Sequence, residues 1–429
     1  MSAAIANPLP PFFSYREGRL YLEEVALAEI VVNFGTPAYV YSANALRQAY
    51  QNYANGFAKA GLDLKICYAV KANSNLGIIR LFGEMGAGAD VVSGGELYRA
   101  LKAGLAAENI VFAGVGKTAA ELDYALEQGI AAFNVESSNE LALLASRAEA
   151  LGRMARVSLR VNPDVEAHTH AYITTGRHNN KFGSSPARVM EMARIVVASS
   201  HLKLIGLQAH IGSQLLEVAP LLEAFRRLLK LAAALEQAGV TLEHLDLGGG
   251  LGVTYEDEQP EQPENLATGI AAALKAHGRS YRLLAEPGRY LTANAGTLLT
   301  TLLYLKQEEP QDPCFAIVDA AMNDLIRPAL YQAKHRIISL RETANRSNQT
   351  YEVVGPVCES GDFLGHAVVL PELNEGEGLA LLSAGAYGFS MASNYNSRPR
   401  PPEILIDRHE TRLLRRRETY QDLVALEEI

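Results

Sequence analysis

Short apolar segments of strand character recur along this chain at intervals of about 20 to 45 residues, with amphipathic helical stretches between them. Eight are read: Lys65 to Val70, Ala89 to Val92, Ile110 to Ala113, Ala131 to Val135, Val157 to Val161, Leu204 to Ala209, Glu243 to Leu247 and Arg282 to Ala285. The intervening stretches, among them SGGELYRALKAG, KTAAELDYALEQG and SSNELALLASRAEALG, carry apolar residues three and four positions apart, and several close on glycine as helices do. Eight such units in about 250 residues predict an α/β chain with a (β/α)8 TIM-like barrel; an open doubly wound sheet usually has fewer strands. One connection, from Asn162 to Ser184, is a long polar loop, and long loops in compact domains are usually functional.

After about Ala293 the pattern changes to alternating strand-like runs, GTLLTTLLYLK, CFAIVDAA, TYEVVGPV, HAVVL and GLALLSA, separated by turn residues. This predicts a second, mainly β domain of sandwich or barrel-like form. The first 35 residues hold strand-like pieces of their own and are expected to pack on it. The expected division is therefore a barrel over 36–292 and a β domain over 1–35 and 293–429.

With 429 residues, 48% of them hydrophobic, the chain can build more than one core. Its 39 basic residues against 48 acidic ones, with no long basic block, exclude a nucleic-acid groove and point to a small-molecule ligand. Arg412, Arg415, Arg416 and Arg417 alternate with Glu410, Glu418 and Asp422 and read as a solvated helix face. Cys67, Cys314 and Cys358 are odd in number and lack ligand spacing, so neither a disulfide framework nor a metal site is expected, and a reducing cytoplasm fits. No apolar run approaches the roughly 18 residues of a membrane span, and the N-terminus shows no leader pattern, so a soluble, unprocessed protein is expected.

Barrel enzymes carry their chemistry at the C-terminal ends of the strands, where all the loops converge. Lys71 in CYAVKANSN follows the first expected strand, Asp90 and Ser93 lie at the second, His210 in QAHIGSQ follows the sixth, Gly248, Gly249 and Gly250 the seventh, and Glu286 in AEPGRY the eighth. Each has a plain structural reading: a lysine reaching to the surface, a flexible glycine turn, a satisfied core histidine, a turn glutamate before proline. Together they supply an amine for an imine, bare backbone N–H groups for a phosphate, and a carboxylate for a pyridine nitrogen. A dry setting favours the neutral, nucleophilic amine of Lys71, and a glycine run before a helix start suits an anion.

YAVKAN, HIGSQ, DLGGGLG and AEPGR, in that order, resemble the alanine racemase-like barrel class of pyridoxal-phosphate enzymes in its decarboxylase branch. HTHAYITTGRHNNKFG, GPVCESGDFLG, GAYGFSMASNYNSRPRPPEILID and RRRETYQDL narrow the resemblance to the diaminopimelate decarboxylases, which make L-lysine from meso-2,6-diaminopimelate. The resemblance spans nearly the whole chain. It implies pyridoxal 5'-phosphate as cofactor, joined to Lys71 as a Schiff base, with Asp90 nearby and His210 against the ring. Ser213, Gly248, Gly249 and Gly250 would help hold the phosphate, and Glu286, in the run Glu286, Pro287, Gly288, Arg289, would meet the ring nitrogen. Tyr387 would lie near both cofactor and substrate. Arg289, Arg327 and Tyr331 would bind the distal carboxylate, and Glu359 the distal ammonium. Cys358 would give a proton to the carbon that loses CO2. The resemblance further implies a homodimer in which Cys358 and Glu359 serve the neighbouring subunit's site.

The charge pattern agrees. The distal end of diaminopimelate is a zwitterion and asks for both arginine and a carboxylate, whereas an ornithine or lysine site has only an ammonium to recognise. Alternatives are a racemase of the same barrel class, a decarboxylase for carboxynorspermidine or arginine, and a non-catalytic paralogue. Glu286 and the CES loop speak against the first, His170 to Gly183 and Glu359 against the second, and the retained Lys71 and Cys358 against the third.

Overall fold

The structure, a computed structural model, describes residues 8–165, 181–342 and 346–429. Most of the expected 162–184 loop, including His170, therefore lies outside the described residues. The chain divides into two compact units: residues 49–253 with 259–290, and residues 1–48 with 254–258 and 291–429.

The first unit is a closed barrel of eight parallel strands: Leu64–Ala69, Gly88–Val91, Ile110–Phe112, Ala132–Val135, Ala155–Arg160, Leu202–Gln208, His244–Asp246 and Arg282–Ala285. All eight expected segments are strands, each within two residues of its expected start. Because parallel strands are covered on both faces, they read as nearly continuous apolar runs without alternation, and Gly88–Val91, Ile110–Phe112 and Ala132–Val135 are buried at every residue. Side-chain caps start the helices that follow. Ser93 accepts from the Glu96 N–H, Thr118 and Glu121 form a reciprocal capping box, and Ser137 accepts from the Glu140 N–H. Gly129, at φ 69°, ψ 50°, supplies the left-handed residue that ends the helix Ala119–Gln128. These caps stop each strand sharply and leave its last side chains at the barrel's C-terminal end.

The second unit is mainly β. A three-stranded antiparallel sheet, Phe13–Arg16, Arg19–Leu22 and Val25–Ala26, shares one core with a nine-stranded sheet. The path through the larger sheet runs Phe363–Pro371, Asn348–Val354, Phe315–Val318, Gly296–Lys306, Ala38–Ser42, Glu403–Asp407, Glu410–Arg415. Gly378–Leu381 also pairs with Gly296–Lys306, and Ile337–Ser339 with Gly378–Leu381. Leu20, Leu22, Leu27 and Ile30 pack in one core with Val40, Leu299, Ile404 and Ile406 of the larger sheet. This unit takes the chain through Gln48 because Ala38–Ser42 is one of its strands, pairing antiparallel with Gly296–Lys306 and parallel with Glu403–Asp407.

The basic run near the C-terminus corrects one expectation. It is not a helix face: Glu410–Arg415 is an edge strand of the sheet. Arg415 pairs with the fully buried Glu403 at 2.7 Å, and Arg417 donates to the carbonyls of Phe34 and Pro37. Alternating charge mimicked a solvated helix, whereas Arg415 ties the last strand to the sheet and Arg417 ties the segment after it to residues 34–37.

Candidate active site

Lys71 sits in the single turn Val70–Ala72 that follows the first barrel strand. Its Nζ lies 2.7 Å from Asp90 Oδ2 on the second strand, and the Asp90 carboxyl is wholly buried while the lysine keeps 35% exposure. The segment behind it is pinned. Tyr68 donates its hydroxyl to the Asn73 carbonyl, the Asn73 side chain accepts from the Asn75 N–H, and Asn75 caps the helix Leu76–Glu84. The asparagines of VKANSN thus form the turn that fixes where the lysine stands.

On the neighbouring strand end, Glu286 follows the eighth strand, which pairs with the first, and is buried. Its Oε1 accepts from Asn134 Nδ2 at 3.0 Å and its Oε2 from Gln208 Nε2 at 2.9 Å. Burial, then the nearby carboxylates of Asp246 and Asp90, push Glu286 well above the usual carboxylate range, with Lys71 opposing. A cation placed against it would reverse that shift.

The glycine run joins these strand ends. The Gly248 carbonyl accepts from the Glu286 N–H at 2.7 Å, the Gly248 N–H donates to Asp246 Oδ1 at 2.9 Å, and the Gly249 N–H donates to His210 Nδ1 at 3.2 Å. The last bond leaves the His210 proton on Nε2. Burial and the charges of Arg160 and Lys71 hold the imidazole neutral, its pKa pushed down to about 3. A Cβ on Gly248, at φ 63°, would come within 2.6 Å of the Ala209 carbonyl, and one on Gly249 within 2.4 Å of the Glu286 carbonyl. No side chain fits here, so the backbone is bare. Ser213 and Arg289 meet at 3.0 Å, Nε donating to Oγ. Pro287 accepts from the Ala69 N–H, and a Cβ on Gly288 would approach that of Ala72 to 2.9 Å, which draws the eighth strand's loop against the lysine turn.

The residues present suit pyridoxal 5'-phosphate. An amine, a buried acid and a glycine cradle stand on the same end of one barrel. Each Glu286 oxygen takes one amide donor and keeps a further lone pair for a ring N–H. Asp90 Oδ1, Asn134 Oδ1 and Gln208 Oε1 are buried acceptors with no partner among the described residues, a surplus that suits a positively charged group.

The remaining predicted residues belong to the β unit. Arg327 opens the short helix Arg327–Tyr331, is buried, donates to His335 Nε2 at 2.8 Å and lies over the Tyr255 ring at 4.6 Å. Tyr331 ends that helix. Tyr387 adopts φ 56°, a left-handed conformation that an aromatic residue rarely holds. Cys358 and Glu359 are exposed on the loop between two strands. The Cys358 N–H donates to Asn396 Oδ1, and Asp362 accepts from the N–H groups of Val357 and Met322.

The structure thus brings Lys71, Asp90, His210, Ser213, Gly248 to Gly250 and Glu286 to Arg289 together at one end of the barrel, and places Arg327, Tyr331, Cys358, Glu359 and Tyr387 in the other unit. Five polar residues at the same barrel end escaped the sequence reading: Asn134, Glu136, Arg160, Gln208 and Asp246. Arg160 pairs with Glu136 at 2.5 Å, both buried. Each is a polar residue in or just after an apolar strand, and that is the signal that could have found them. Among the described residues no cluster of histidine, cysteine, aspartate and glutamate could hold a metal ion, and no helix is long and apolar enough to cross a membrane.

Comparison with known proteins agrees with this arrangement. Residues 43–293 match the family described as pyridoxal-dependent decarboxylase, pyridoxal binding domain. The chain is 50% identical to a diaminopimelate decarboxylase of Pseudomonas aeruginosa over 417 residues, covering 97% of this chain and 99% of that one. Among solved structures, diaminopimelate decarboxylase from Helicobacter pylori complexed with L-lysine is 43% identical, with a TM-score of 0.89 over 94% of this chain and 99% of that one. The enzyme of M. jannaschii in complex with L-lysine is 36% identical, with a TM-score of 0.93 over 98% of both chains.

Proposed function

This chain belongs to the pyridoxal-dependent decarboxylases and, within them, to the diaminopimelate decarboxylases, and we propose that it converts meso-2,6-diaminopimelate to L-lysine and CO2, the last step of lysine biosynthesis. The observation that carries the reading is the joint placement of the Lys71–Asp90 pair and the buried Glu286 on one barrel end.

Pyridoxal 5'-phosphate, when bound, supplies an electron sink for the pair left behind as the carboxylate departs. The chain's own residues prepare for that. Lys71 would supply the amine for the aldehyde; it is partly exposed rather than in the dry setting expected for it, and Asp90, at 2.7 Å, orients it. Glu286, with both oxygens steadied by the Asn134 and Gln208 amides, would supply the counter-charge that keeps the ring nitrogen protonated. The glycine run Gly248 to Gly250, which no side chain fills, would with Ser213 and Arg289 make room for and hold the phosphate. Neutral His210 would pack against the ring and add no competing charge.

For the substrate, Arg289 and Arg327 would bind the distal carboxylate with Tyr331 and Tyr387, and Glu359 the distal ammonium. The Cys358 thiol would return a proton to the carbon that has lost CO2. We further propose a homodimer in which Cys358 and Glu359 of the partner subunit serve this site. The exposure of both side chains supports that arrangement. Three free cysteines support a cytoplasmic setting.

The test is a panel of meso-diaminopimelate, L-lysine, L-ornithine and L-arginine offered to the purified protein with cofactor, CO2 and amine products being quantified. Lysine from meso-diaminopimelate, with little turnover of the rest, is expected; preference for a substrate without a distal carboxylate would overturn the assignment.

A further inference from the structure

Three carboxylates crowd the inside of the barrel's C-terminal end: Asp90 on the second strand, Asp246 on the seventh and Glu286 after the eighth, all at 5% exposure or less. Asp90 has a cation, Lys71, at 2.7 Å. Among the described residues the other two have none at such range. The seventh and eighth strands pair in parallel, Asp246 opposite Leu284, so Glu286, two residues on, lies diagonally from Asp246 on the same face. Asp246 is tied down at one oxygen only, where Oδ1 accepts the Gly248 N–H at 2.9 Å. Its Oδ2 is buried and receives no N–H or O–H donor among the described residues. Yet the Asp246 carboxyl stands within hydrogen-bonding reach of the Glu286 carboxyl, with the Asn134 amide beside both. Two ionised carboxylates in that position repel, with no water to screen them, whereas a single proton between them turns the clash into a hydrogen bond.

We infer that Asp246 is a positioning residue that keeps one proton on the Asp246–Glu286 pair, so that the pair presents a single negative charge to the cofactor ring. With no cation at Glu286 the proton is shared between the two acids. When a positive ring N–H faces Glu286, the proton resides on Asp246 Oδ2 and is donated to Glu286, and nothing is gained or lost from the pair. The balance of donors agrees: Glu286 accepts from two amide N–H groups at 3.0 and 2.9 Å that favour its anion, while the Asn134 amide, which it holds, acts on Asp246 only as a lesser influence. Other titratable groups acting on the pair leave this count unchanged. Asp90 adds a like charge that favours keeping the proton, Lys71 opposes it, and Cys67 and Tyr53, both buried, are pushed toward their neutral forms partly by these acids. Burial raises both members of the pair above the ordinary carboxylate range. The catalytic meaning of the proton rests on the cofactor assignment above; its existence does not.

The test is infrared difference spectroscopy of the full-length protein at pH 7, with pyridoxal 5'-phosphate bound and again after its removal. Wild type minus Asp246→Asn should show the carbonyl stretch of one protonated carboxyl, shifting on deuterium exchange, in both states. Glu286→Gln should lose the same band, because either amide ends the sharing; two independent acids would lose separate bands. Should Asp246→Asn fail to fold, the Glu286→Gln difference and titration of the band in wild type still decide. Asp246→Asn, which can offer an N–H where the O–H stood, should retain at least about tenfold more turnover than Asp246→Ala. Difference spectra showing only ionised-carboxylate loss would overturn the inference, whereas a wild-type protein that binds no cofactor yet shows the band would overturn the function and leave the shared proton standing.

Discussion

In the barrel, Asp90, Asp246 and Glu286 are buried, and each carboxyl is held by a lysine, an amide or a backbone N–H from a neighbouring element. In the β unit, Cys358 and Glu359 are exposed, and what is held is the backbone around them, through Asn396 and Asp362. Burial makes charge expensive, so the barrel can tune protonation; exposure leaves a thiol and a carboxylate open to meet a ligand. The barrel end is therefore built for a resident group and the loop for a transient one.

Substitutions can break or sharpen that contrast. Lys71→Ala should have the largest effect, a turnover loss on the order of 10⁴-fold or more, because the amine has no substitute. Glu286→Ala should lower turnover by about 10²- to 10³-fold while cofactor is retained, measured by steady-state rates beside bound-cofactor absorbance. Normal turnover would remove the electron-sink argument. Cys358→Ala should cost about 10²-fold in turnover and leave the thermal midpoint unmoved, since an exposed side chain contributes little to packing. Asp362→Ala should do what Cys358→Ala does not: it strips the acceptor from two backbone N–H groups and should destabilise the protein by about 1–3 kcal/mol in denaturant titrations.

The smallest effect concerns pH. Asp324, buried in the β unit, is raised to about 7, chiefly by burial. A raised carboxyl favours the fold below its unfolded pKa of about 3.9, and that contribution is lost as pH rises through about 7. Asp324→Asn should flatten the fall in denaturation midpoint between pH 4 and pH 8 expected for wild type, so that the gap between the two changes across that range. An unchanged slope would show that Asp324 ionises as freely when folded as when unfolded.

The barrel was legible because each of its strands is an apolar run stopped by a polar residue or glycine, and Lys71, His210, Gly248 and Glu286 stand at those stops. Asn134, Gln208 and Asp246 were harder to see, since a lone polar residue in an apolar run shows its purpose only when the strands that converge on it are known. Ala38–Ser42 was missed for a related reason. Its sequence, AYVYS, reads as one more apolar run, and its partners lie more than about 250 residues away. The Arg412 to Arg417 segment misled because charge alternation fits either a helix face or an edge strand, and only the buried Glu403 decides between them.

The most direct measurement is to reduce the cofactor-loaded protein with borohydride, digest it and locate the modified lysine by mass spectrometry. A single pyridoxyl adduct on Lys71 is predicted. An adduct on Lys65 or Lys117, or none at all, would contradict the seat described for the barrel end.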